Sequence, residues 1–199
     1  MKTHFYMFRH GETIWNAEWR PHGQHPAPIP LTINGREQVA RLADKLADKN
    51  INLIISSDLL RAEQTAEIIA EKLNVKIVYD KDLREVNYGK LNGLYSLECE
   101  EIFPDYHNCY KDYSLSFPEG ESFNDAVRRM DRALKTAAQN YGGQNIAVST
   151  HGNIVDMFLE VTFKQRYKKL FNSDFVHIAY DGNAKNFEAI EVPEKVNFK

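Results

Sequence analysis

A chain of 199 residues, 43% apolar and 27% charged, fits one domain and is long enough to bury a substantial core. A formal net charge of −3, with no basic arm, argues against nucleic acid or an anionic membrane as the main partner. The only cysteines, Cys99 and Cys109, make no disulfide framework and are expected to be free thiols; with no secretory signal in view, the expected location is cytoplasmic.

The first predicted element is the apolar run HFYMF at 4–8, a short buried strand that ends abruptly in Arg9-His10-Gly11-Glu12. Residues 34–48 set Val39, Leu42 and Leu46 on one helical face, with Asn34 as the expected cap. NLIIS at 52–56 predicts a second strand, and 59–73 a helix through Leu60, Ala66, Ile69 and Leu73. VKIVY at 75–79 predicts a third strand. The stretch 86–118, rich in tyrosine, asparagine and proline, is the expected lid-like insertion. A longer amphipathic helix follows over 121–140, then a fourth strand, NIAVST, at 145–150. FVHIAY and FEAIEV flank DGNAKN and predict a hairpin on one sheet edge. The alternation implies one α/β domain over 1–199, a three-layer α/β/α sandwich with a mostly parallel sheet and an antiparallel edge hairpin.

Ligands of such sheets bind beyond the carboxyl ends of the strands. The residues there are Arg9-His10-Gly11, Ser57-Asp58, Asp80-Lys81 with the loop to Glu85, and His151-Gly152. Either histidine alone reads more readily as a loop or capping residue; two, each followed by a glycine that permits a sharp turn and close ligand approach, are harder to dismiss. Arg61, just past the second strand, reaches the same crevice. A metal site would set a dication beside Arg9 and Arg61, and no HxH, HExxH or CxxC spacing is present, so an anion is favoured over a metal. A phosphoryl group suits two guanidinium forks. The helix start after RHGE would add N–H donors and a favourable dipole end. A histidine held in one tautomer can attack phosphorus, and Glu85 can protonate the leaving oxygen.

RHGETIWN, PLTINGREQ (30–38), SSDLLRAEQTA (56–66), LREVNYGKLNG (83–93), PEGES (118–122) and STHGN (149–153) occur in this order from about residue 5 to about residue 155. Together they resemble the signature of the histidine phosphatase superfamily, in the branch that includes cofactor-dependent phosphoglycerate mutase. The resemblance implies that His10 becomes phosphorylated, that Arg9 and Arg61 bind the phosphoryl group, and that a protonated His151 also contacts it. It implies that Glu85 protonates the leaving group and then activates water, and that Asn16 contacts phosphate, with Asn153 beside a ligand contact. Gly11, Gly23 and Gly152 are expected at the ligand, no metal or organic cofactor is expected, and the partner is a small phosphorylated metabolite. Where relatives commonly have Gln-Gly, this chain has His22-Gly23 and a few extra residues; His22 and His25 are candidates for the mouth of the site.

Mutases of this kind, as the resemblance implies, carry extra basic residues between the glutamate motif and the following helix. Residues 94–117 here hold one lysine, Lys111, no arginine and five acidic residues. That favours a hydrolase acting on a less charged phosphomonoester. Phosphoglycerate mutase is the alternative, and a catalytically silent phospho-ligand binder a further one. Oligomeric state is not indicated.

Overall fold

The computed structural model describes residues 1–196; positions 197–199 of the expected domain lie outside the described residues. Six strands, β1 (Lys2–Arg9), β2 (Leu53–Ser56), β3 (Ile77–Tyr79), β4 (Asn145–Thr150), β5 (Phe175–Asp181) and β6 (Asn186–Glu191), form one sheet in the order β3-β2-β4-β1-β5-β6. β1, β2, β3 and β4 pair in parallel, while β5 and β6 add the antiparallel edge hairpin. The expected architecture is the observed one.

The helices are α1 (Ile14–Ala17), α2 (Ile33–Leu46), α3 (Leu60–Leu73), α4 (Ser96–Ile102), α5 (Phe123–Asn140) and α6 (Gly152–Phe163). Side chains alternate across a strand, so β1 feeds two cores. Phe5 and Met7 join Ile146, Val148, Met130 and Phe158 on the α5/α6 face. Tyr6 and Phe8 join Ala147, Val39, Leu42 and Ile69 on the α2/α3 face. A helix layer therefore covers each side of the sheet.

Local chemistry fixes the helix starts. Thr32, not Asn34, caps α2: it is extended and its hydroxyl accepts the Gly35 N–H at 2.9 Å, whereas Asn34 already lies in the first turn. Ser122 and Asp125 form a reciprocal capping box on α5. The 86–118 stretch buries Tyr88, Leu91, Cys99, Tyr106, Cys109 and Phe117 in the α5/α6 core, and both cysteines are free. Among the described residues no helix is long and apolar enough to cross a membrane.

Candidate active site

β1 and β4 are neighbours, with Arg9 opposite Thr150, so the residues that follow them emerge side by side. The His10 and His151 ring centroids lie 5.3 Å apart. Arg61, buried in the first turn of α3, donates from Nε to His10 Nε2 at 3.1 Å and from Nη2 to the Gly23 carbonyl at 2.8 Å. His10 Nδ1 lies 2.8 Å from the Gly11 carbonyl. A carbonyl only accepts, so Nδ1 carries the hydrogen and Nε2 keeps its lone pair. Burial and the Arg61 and Arg9 charges push the His10 pKa well below the ordinary histidine range, which holds the ring neutral.

His151 is fully buried, with Nε2 at 2.9 Å from Ser57 Oγ. The expected protonated His151 runs against its surroundings: burial and Arg61 push its pKa well down as well. Its Nδ1, together with Arg9 Nε, is buried without a hydrogen-bond partner. Orphaned buried polar atoms are rare enough in folded proteins to mark a place where a ligand completes the network.

His22 is buried, with Nε2 2.6 Å from Thr13 Oγ1, and burial with the Arg61 and Arg9 charges pushes it down to about 2. Gly23 adopts φ +49°, and a Cβ there would meet Asn92 Oδ1 at 1.8 Å, so glycine is required for the carbonyl to reach Arg61. His25 does not reach the site. Its ring packs edge-on against Trp15 and its Nδ1 accepts the Ala27 N–H.

Glu85 follows a 3₁₀ turn (Lys81–Leu83) beyond β3 and is buried. Its Oε1 accepts the N–H groups of Val86 (2.9 Å) and Ile154 (3.0 Å), and Oε2 that of Asn153 (3.1 Å). Arg129 of α5 clamps the loop behind it, donating to the carbonyls of Asp82, Arg84 and Glu85 at 2.6–2.9 Å and pairing with Glu121. The dipole expected after RHGE is absent because α1 is a single turn of four residues. It is α6 whose first amides face the site, and Glu85 takes them.

A cavity of about 570 Å³ is lined by Arg9, His10, Asn16, His22, Gly23, Arg61, Glu85, Gly152 and Asn153 among the expected residues. Gly11 does not line it; a Cβ there would lie 2.6 Å from the Gly35 carbonyl oxygen, so this glycine serves the close approach of α2. His151 lies behind His10 rather than on the cavity wall. Gly152 has its own reason, since a Cβ would press on Arg9 Cδ at 3.1 Å. Asn16 Oδ1 accepts from Thr13 and from Asn172 Nδ2.

A description of the histidine phosphatase superfamily (branch 1) matches residues 5–191. The chain belongs to that superfamily. Phosphoglycerate mutase-like protein 4 of Arabidopsis thaliana is 36% identical over 160 residues, covering 76% of this chain and 67% of that one. The probable phosphoglycerate mutase GpmB of Escherichia coli is 36% identical over 149 residues, covering 74% and 68%. Among solved structures, Bacillus stearothermophilus YhfR superposes with a TM-score of 0.85 at 27% identity, covering 95% of this chain and 96% of the other. A mycobacterial glucosyl-3-phosphoglycerate phosphatase shares the fold, with a TM-score of 0.84 at 21% identity and coverage of 96% and 99%.

This member of the superfamily also brings to its cavity residues that sequence reasoning missed: Trp19, Asp156, Lys169, Phe171 and Asn172. Asp156 sits one helical turn beyond Asn153, a signal available only once α6 is drawn; burial raises its pKa to about 7. Asn172 donates to the His10 carbonyl at 2.8 Å from a loop with no periodic pattern. None of the described residues between 94 and 117 lines the cavity, so the five carboxylates there do not face a ligand in it. The choice between hydrolase and mutase must rest on the cavity's own rim.

Proposed function

We propose that the protein hydrolyses phosphomonoesters through a phosphohistidine on His10, with Glu85 as the general acid and base. The observation that carries this reading is the His10 ring: neutral, pinned through Nδ1–H to the Gly11 carbonyl, with its Nε2 lone pair held beside the Arg61 guanidinium. A phosphoryl group entering the cavity takes over the Arg61 donor and the free Arg9 Nε. His10 Nε2 attacks phosphorus, the P–O bond breaks, and Glu85 gives its proton to the leaving alcohol. Water then attacks phospho-His10, Glu85 takes the proton, and the ring leaves phosphate. The transition state spreads negative charge over its equatorial oxygens, which the two guanidinium groups oppose without rearranging. An arriving dianion also favours proton uptake by His151.

Relatives named as mutases and phosphatases fit phosphoryl transfer of this kind. Hydrolysis is favoured because the rim has little beyond Lys169 to hold a second anion: Arg20 is engaged, its guanidinium over the Trp15 ring at 4.1 Å and its Nε donating to the Gly93 carbonyl. The test is turnover of p-nitrophenyl phosphate, with conversion of 3-phosphoglycerate assayed alongside. His10→Ala should lower kcat by about 10⁴-fold or more and abolish an acid-labile, base-stable phospho-enzyme. A wild type inert toward a phosphomonoester panel, or one faster as a mutase, overturns the proposal.

A further inference from the structure

We propose that the mouth of the cavity is a seat for a planar, uncharged leaving group held against Trp19 and Phe171, which makes aryl-type phosphomonoesters the preferred substrate class. This rests on the hydrolase reading for its chemistry, but the seat is built from separate residues. Trp19 and Phe171 are 91% and 75% exposed, and both line the cavity whose floor carries Arg9 and Arg61. Large aromatic side chains left this bare return nothing to the core.

Trp19 is also conformationally unusual. It directly follows Glu18, the C-cap of α1, at φ +57°, a left-handed position where glycine or asparagine normally sits. A bulky residue held there, and burying little of itself, is strain without packing in return, which is characteristic of ligand clamps.

Both aromatics are tied to the reacting end. The Trp19 N–H donates to the Asn16 carbonyl at 3.1 Å, and Asn16 lines the floor. Phe171 precedes Asn172, whose side chain holds the His10 carbonyl, and the next N–H, of Ser173, donates to the Arg9 carbonyl at 3.1 Å. The two rings are therefore indexed to the nucleophile and to the phosphoryl-binding arginine. Charge among the lining residues adds little for a polyanionic leaving group: beside the floor arginines and the engaged Arg20 the cation is Lys169, and the Glu12 carboxyl lines the same cavity.

Trp19→Gly is the apt variant, because glycine fits φ +57° and the fold loses no buried contact; Phe171→Ala is the second. With 1-naphthyl phosphate as substrate, each should raise KM by about tenfold with kcat within about twofold, since ring stacking acts on ground and transition state alike. Turnover of glycerol 2-phosphate should stay within about twofold of wild type. Calorimetric binding of benzylphosphonate and methylphosphonate reads the same seat without turnover: wild type should favour the benzyl compound by about tenfold, and Trp19→Gly should bring the ratio close to one. A ratio unchanged in both variants, or a wild type that prefers 3-phosphoglycerate to naphthyl phosphate, overturns the seat. A wild type that binds the phosphonates in the expected ratio but hydrolyses no monoester leaves the seat standing and overturns the hydrolase reading alone.

Discussion

Glu85 Oε1 takes two backbone N–H groups and Oε2 one, so Oε2 is the oxygen with room for a proton in transit. Glu85→Gln keeps the shape but has no proton to give or take. Its kcat should fall by about 10²- to 10⁴-fold. The loss should be larger for an alkyl phosphate than for p-nitrophenyl phosphate, whose leaving group departs without protonation; equal losses on the two substrates would remove the proton-transfer role. His10, Arg61, Glu85 and His151 were legible in the sequence because each follows a strand or opens a helix, and strand ends in an open sheet share one edge. Asp156 and Asn172 were not, because nothing in residue spacing tells which way a long loop folds back. Gly11 was read for its freedom to turn, whereas its neighbour is the backbone of α2, a contact far away in sequence.

At the scale of elements, α5 does more than cover the sheet. Its Arg129, paired with Glu121 and little exposed, ties the helix to the carbonyls of Asp82, Arg84 and Glu85 in the loop bearing Glu85. Arg129→Met would take this donor from the Asp82 and Arg84 carbonyls, and leave the Glu85 carbonyl to Gln24 and the Glu121 carboxylate to the Asn87 N–H. It should destabilise the protein by about 3 kcal/mol in urea unfolding. Because the loop would loosen, kcat should fall more than KM changes; a stable variant of unchanged kcat would limit Arg129 to folding. Strands, hairpin and the long helices were readable from periodicity alone. The misplaced cap of α2 and the overestimated helix after RHGE share one cause: hydrophobic spacing marks a helix interior, while its ends depend on which hydroxyl meets which amide.

For the whole molecule, several buried histidines are held neutral. His10, His22 and His151 lie well below the ordinary range, and His177 is pushed to about 4 by burial and the neighbouring His4. Above the unfolded histidine pKa of about 6.5 neither state carries these protons, and their full contribution to stability is present. As the pH drops below that, the unfolded chain takes up protons the folded one refuses, and stability is lost. Asp156, raised to about 7, works in the opposite direction, since the folded state holds a proton the unfolded chain releases down to about pH 4. The histidines outnumber it, so stability should fall between about pH 6 and pH 5. Urea midpoints at the two pH values measure this, and equal midpoints would mean the rings are not held neutral.

The pairing of Arg9 with Thr150 fixes more than strand register. Because His10 and His151 are the next residues on adjacent parallel strands, their separation is set by the sheet's own inter-strand spacing and not by any loop. The spacing of the two rings therefore has the stiffness of the sheet, while the proposed aromatic seat lies outside the strands. A break in the backbone at the β5–β6 turn, within Gly182–Lys185, would lie far from this ruler and should leave the two rings facing each other.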